Sequence, residues 1–137
     1  MQVDLRLVGA ARELLDRRFR PDEWAGAAAM YTESGRILTS VAVESPNAGA
    51  GLCIETGAIA EAHKLDEAVA ATVCLAREAG SARVFILAPC GICQERLRFW
   101  GPQVSVAVAD GADPTRWRVV RLGDLQPYWW ATVYGEP

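Results

Sequence analysis

Two short stretches of this 137-residue chain carry side chains able to do chemistry together: Cys53-Ile54-Glu55 and Pro89-Cys90-Gly91-Ile92-Cys93. Three cysteines in two groups suit a metal held by thiolates. Three such ligands make a tetrahedral zinc site with one position open, the arrangement of a catalytic rather than a structural zinc. Glu55, two residues after a proposed ligand, is placed to face that position without binding the metal. The first stretch leads into an Ala-rich run. The second follows the apolar segment Arg83 to Ala88 and opens a helix ending near Trp100. Both cysteine groups are therefore expected at helix N-termini, where partial positive charge and free N–H groups favour thiolate over thiol.

Each stretch alone has blander readings. A C-x-x-C that opens a helix after a strand also describes a thioredoxin-like redox pair, but a redox pair does not need a third cysteine with Glu at +2. A four-ligand structural zinc would want Cys74 or His63. Cys74 is expected in mid-helix among Ala71, Val73, Leu75 and Ala76, as a buried core thiol. His63, the only histidine, reads as a helix-face or capping residue. Glu55 could be no more than a carboxylate favoured by a helix N-terminus.

Around these stretches the chain is ordinary for a globular protein, 51% apolar and 23% charged. One domain spanning 1–137 is expected, with a single core. The net charge of −3 and the lack of a Lys/Arg cluster argue against nucleic acid. No apolar run is long enough to span a membrane and no signal-peptide core is visible, so no membrane partner and a cytoplasmic location are expected.

In chain order, apolar spacing predicts a helix over Val3–Phe19, then a strand over Trp24–Tyr31 and a second over Arg36–Val43, joined by the turn Thr32–Gly35. Ser45–Gly51 is a loop. A long helix is expected over Glu55–Ala79, bent near Lys64-Leu65-Asp66 and stopped at Gly80. Strands come next over Arg83–Leu87, buried on both faces, and Val104–Ala109, with a loop over Asp110–Pro114. Trp117–Leu122 is a last strand or edge, and an aromatic tail closes the chain. This order gives an α/β fold: a mixed sheet of about five strands with helices on both faces. Both cysteine-bearing helix starts fall at one sheet edge, where open α/β sheets bind ligands.

The pair Cys53-Ile54-Glu55…Pro89-Cys90-Gly91-Ile92-Cys93 is the three-cysteine form of the zinc-deaminase signature. From about Gly26 to Pro127 the chain resembles the small cytidine deaminases and the blasticidin S deaminase-like proteins beside them. The resemblance implies their three-layer α/β/α fold and one Zn²⁺ per chain, bound by Cys53, Cys90 and Cys93. It implies hydrolytic deamination of a small cytosine-containing molecule. Glu55 would take a proton from a zinc-activated water as C4 is attacked, then deliver protons to N3 and the leaving amine. The N–H of Ile54 would hold the ring carbonyl.

The chain also departs from that family. Its ribose-gripping Asn-x-Glu survives only as Glu44, nine residues before Cys53, with Ala42 at the Asn position. The family's stacking Phe is missing, and Trp24 is the candidate replacement, with a plain core role as the alternative. The arginines that usually offset three thiolates are replaced by Thr56 and Gln94, so Arg96 is expected to reach back. No loop separates Leu87-Ala88 from Pro89, and the extra length is expected in the preceding helix.

Cytidine or deoxycytidine is the first-choice substrate. A cytosine antibiotic such as blasticidin S, or another amino-heterocycle, is the second. A non-catalytic zinc-binding assembly domain is the rival of another class. By resemblance, Leu122 to Trp130 corresponds to a C-terminal segment that completes a neighbour's pocket. A homotetramer, or a homodimer, is thus expected, against the alternative that the tail folds onto its own subunit.

Overall fold

Asp4 starts the fold by accepting the N–H of Leu7 at 2.9 Å, which satisfies one of the unpaired donors at a helix start. The helix it caps, α1 (Leu5–Arg18), ends with Arg17 and Arg18 where the helix dipole favours cations. Its buried residues Leu7, Ala11 and Leu15 repeat every fourth position and form one apolar stripe. The computed structural model describes residues 1–137 and contains a six-stranded mixed sheet with three α-helices.

Strand β1 (Ala25–Thr32) is buried along its whole length. Antiparallel to it runs β2 (Ile37–Val41), after a turn in which Gly35 takes φ +87°. Next come α2 (Thr56–Leu65), β3 (Val69–Arg77), β4 (Val84–Leu87) and α3 (Gly91–Leu97), the last prolonged by a 3₁₀ turn to Trp100. The hairpin of β5 (Ser105–Asp110) and β6 (Asp113–Arg121) completes the sheet. Its order is β2-β1-β3-β5-β6. The far edge of β3 is divided: β5 pairs parallel with Ala71 and Thr72, and β4 pairs antiparallel from Cys74 to Arg77.

One sheet face, with Ala25, Ala27, Ala29, Tyr31, Val73 and Leu75, packs against α1. The small side chains of β1 let the helix approach closely. Tyr31 reaches across to donate its hydroxyl to Asp4 at 2.9 Å. On the other face Met30, Val69, Val106 and Leu122 pack against Ala58, Ile59 and Ala62 of α2 and against Cys93 and Leu97 of α3. This is a three-layer α/β/α arrangement. Each fully buried Leu contributes roughly 1.5–3 kcal/mol.

The expected helix over Glu55–Ala79 is half wrong. It stops at Leu65, where Asp66 adopts φ 54°, a left-handed conformation that ends α2. Beyond Asp66 the chain continues as β3, buried from Ala71 to Arg77. The Ala content suits a helix, but the run sits between two strand partners, and tertiary pairing overrides propensity. Cys74 is therefore in mid-strand, and the sheet has six strands, not about five. The extra length before Pro89 is likewise a β3–β4 hairpin rather than helix. Of β4, expected to be buried on both faces, only Ile86 is buried, while Leu87 is 38% exposed. Nor is Asp110–Pro114 an open loop: Asp110 already pairs with Asp113 in a tight hairpin.

Candidate functional site

A short bridge brings the first cysteine into place. Leu52 N–H donates to Val43 O at 2.8 Å and Val43 N–H to Leu52 O at 3.2 Å, closing the Ser45–Gly51 loop and setting Cys53 beside β2. Ser40 Oγ donates to the Ile54 carbonyl at 2.7 Å. A Cβ on Gly57 would lie 2.9 Å from Ser40 Cβ, so only glycine lets the first turn of α2 sit this close to β2. The other two cysteines come from β4, which runs through Ala88-Pro89 into Cys90, the residue capping α3. Gln94 locks that turn, its backbone N–H donating to Cys90 O and its side-chain Nε2 to Pro89 O, both at 2.8 Å.

The result is a cluster of three sulfurs, those of Cys53, Cys90 and Cys93, all within 4.8 Å of one another. Cys53 Sγ and Cys90 Sγ are 3.1 Å apart, and all the cysteines are free thiols. The expectation that both helix starts favour thiolates holds for Cys90 only. Burial would raise its pKa, but the N–H groups of Cys93 and Ile92 and the Cys53 thiol outweigh it and bring the pKa below the ordinary value. Cys53 is raised, first because it donates to Cys90 and then by burial. Cys93 is raised strongly, by burial and by the nearby charges of Glu55, Cys90 and Cys53. Ionising all of these groups together would crowd negative charge, and a cation held by the three sulfurs would relieve that repulsion.

Glu55 is 3% exposed. Burial raises its pKa; its own backbone N–H and the thiols of Cys93 and Cys74 pull in the opposite direction. Thr56, just after it, accepts from Arg96 Nη1 at 2.7 Å. Arg96 does reach back, and it stops at the helix start.

Cys53, Ile54, Glu55 and Cys90 line a cavity of about 210 Å³ together with Cys74, Leu87 and Ala88. The last three were not among the expected site residues. Placing the cavity wall required knowing that Cys74 lies on a strand opposite Leu87, and the misassigned helix hid that. The N–H of Ile54 has no acceptor within the chain. Glu44 is exposed in a groove of about 460 Å³ that meets the cavity at Cys53. Trp24 lies over Gly26 beside Ile54: a Cβ on Gly26 would sit 2.7 Å from Trp24 Cη2 and from Ile54 Cδ1. Ala42 packs against Ala28, Ile54 and Cys74. His63 lies outside this region, its ring 4.7 Å from both Phe99 and Trp100.

At the chain end, Trp129 and Trp130 both donate their indole N–H to Glu95 of α3. Arg98 stacks 4.2 Å above the Trp129 ring and donates to Gln126 Oε1 at 3.1 Å and to Pro137 O at 2.9 Å. The tail is anchored on its own chain, while Tyr128, Val133 and Tyr134 face outward. No helix is long and apolar enough to cross a membrane.

The chain matches no protein-family model and no curated protein. It is similar to the crystal structure of the cytidine deaminase from Bacillus anthracis, with 43% identity, 95% of this chain and 91% of that one covered, and a TM-score of 0.85. Against the cytidine deaminase from Mycobacterium tuberculosis the values are 30%, 94%, 98% and 0.69. The cytidine deaminase from Mycobacterium leprae is 25% identical, with 89% and 95% covered and a TM-score of 0.69. The fold, with its strand-to-helix cysteine pair, and the 43% identity over nearly the whole chain agree: the protein is an enzyme of the cytidine deaminase family.

Proposed function

We propose that the chain hydrolyses cytidine or deoxycytidine to uridine or deoxyuridine and ammonia, with one Zn²⁺ held by Cys53, Cys90 and Cys93. The observation that carries this reading is the three-sulfur cluster and the buried Glu55 opening onto one cavity. Three soft sulfur donors suit zinc and leave a position for substrate or water. When bound, the zinc supplies a Lewis acid that makes water nucleophilic near neutral pH. Glu55 takes a proton from the attacking water and passes it to ring N3, then takes the proton of the new C4 hydroxyl and passes it to the departing amine; burial raises its proton affinity and suits it to both transfers. The unpaired N–H of Ile54 holds the ring carbonyl. Leu87, Ala88 and Cys74 exclude water from the base.

A cavity of about 210 Å³ is small for a nucleoside, since ligand pockets usually run from about 300 Å³. It takes the base, and the sugar extends into the groove where Glu44 lies. Trp24, beside Ile54, offers a flat surface to that sugar or base. Ala42 supplies only apolar contact, which favours as second reading a cytosine antibiotic such as blasticidin S, whose sugar side differs from ribose. The outward Tyr128, Val133 and Tyr134 support a homotetramer (a homodimer is the smaller alternative), since the neighbour would cover them and enlarge the pocket.

The test is loss of ultraviolet absorbance with a panel of cytidine, deoxycytidine, cytosine and blasticidin S, beside metal analysis. Turnover of the first two with about one zinc per chain is expected. Cys53→Ser, Cys90→Ser and Cys93→Ser should each lower metal content, whereas Cys74→Ser should not. Turnover of blasticidin S alone would move the assignment to the second reading. Full zinc occupancy in Cys53→Ser would remove the ligand set.

A further inference from the structure

The walls of the cavity come from three places. Cys53, Ile54 and Glu55 lead into α2, Cys74 belongs to β3, and Leu87 and Ala88 end β4 just before Cys90. Cys74 is 3% exposed and Leu87 38%, so the floor is closed while the β4 side opens to solvent. The strand fixes the direction of Leu87. Val84 and Ile86 turn toward α1. Successive side chains alternate, so Leu87 turns to the opposite face, the one that carries the cysteines. Leu87 pairs with Cys74 across the strands, and Gln94 Nε2 locks the turn beyond it by donating to Pro89 O at 2.8 Å. The place of Leu87 beside the sulfurs is therefore set by the backbone.

We infer that Leu87 is a specificity-determining residue for the base, facing its C5–C6 edge and setting the size of substituent accepted at C5. The inference rests on the reading of this site as one for cytosine. In that reading C4 is turned to the three sulfurs, N3 to Glu55 and the ring carbonyl to the Ile54 N–H, while N1 carries the sugar toward Glu44. In a six-membered ring the C5–C6 edge lies opposite the C2–N3 edge. It meets the part of the cavity that no other ring atom claims, Leu87 and Ala88. Neither side chain offers a hydrogen bond, so this wall selects by size and apolarity alone. Because Leu87 stands at an open rim, a methyl or a halogen at C5 has room, and 5-substituted cytidines are substrates alongside cytidine.

The test measures kcat/KM for cytidine, 5-methylcytidine and 5-iodocytidine in wild type, Leu87→Phe and Leu87→Ala. A C5 substituent alters the reactivity of the ring itself, but equally in every variant. The ratio of substituted to unsubstituted substrate, compared between variants, thus reads the wall alone. Leu87→Phe should lower the ratio for 5-methylcytidine about tenfold or more, the effect of one methyl that no longer fits an apolar pocket. Leu87→Ala should raise the ratio for 5-iodocytidine, and it decides alone if the larger side chain impairs folding. Val84→Ala, on the other face of the same strand, should lower the melting midpoint and leave both ratios at their wild-type values. Inhibition by the products uridine and 5-methyluridine should follow the same pattern, which separates fit from chemistry. Ratios unmoved in the Leu87 variants would overturn the inference, as would an equal shift in Val84→Ala. Absence of cytidine turnover by the zinc-loaded wild type would instead overturn the reading of the site, so the two failures separate.

Discussion

Glu55 owes its position to three local features: the turn after Cys53, the tie from Ser40 to the Ile54 carbonyl, and the absence of a side chain at Gly57. Glu55→Gln keeps the shape and removes the proton. Metal and fold should persist while kcat falls about 10²–10⁴-fold, the range for a general acid–base group; single-turnover kinetics on metal-loaded protein measures it. Gly26→Ala addresses the opposite wall. Its new methyl would sit 2.7 Å from both Trp24 and Ile54, so one of them must move. Overpacking of this kind costs about 1–3 kcal/mol, visible as a lower melting midpoint, and the displaced wall should raise KM more than it lowers kcat. The cysteines and Glu55 could be found from sequence because chemistry restricts their types and spacing. Cys74, Leu87 and Ala88 could not, since nothing in an apolar side chain announces that it faces a cavity.

Among the elements, the one whose type was misread was β3. Val69–Ala76 is apolar but for Thr72, and such runs do not separate a buried strand from a buried helix. The β-branched Val69, Thr72 and Val73 were the available signal, with Asp66 as the break. That break can be tested. A β-branched residue in the left-handed region costs on the order of 1–2 kcal/mol, so Asp66→Val should lower the melting midpoint while Asp66→Gly should not. At α1, the Leu7 N–H is the largest influence holding the Asp4 carboxyl below its ordinary pKa, and Tyr31 assists against partial burial. A depressed folded-state pKa adds stability above the unfolded value, about 3.8 here, and that contribution is lost as pH falls through the folded value. Asp4→Asn, which still caps, should therefore flatten the stability profile below about pH 4 and leave the profile near neutrality parallel to wild type; denaturant midpoints across that range decide it. The remaining helices and strands were legible because turns and caps bound them: Gly35 before β2, Cys90 before α3.

At the scale of the whole molecule, the sheet separates two helical layers and the chain end is fastened to α3 by Glu95 and Arg98. That fastening was not legible in sequence, because it depends on which face of α3 the last residues meet. Ending the chain after Pro127 removes Trp129 and Trp130 but no proposed metal ligand. Zinc content and sheet structure should persist, while sedimentation should report smaller species and activity should fall; a fully active monomer before truncation would exclude a shared pocket. Glu95 also has an optical consequence. It holds two indoles edge to face, centroids 6.0 Å apart at 60°, close enough for their electronic transitions to couple. The pair forms an intrinsic chiral chromophore, so a circular-dichroism couplet that vanishes in Glu95→Ala would report the docked chain end without any label.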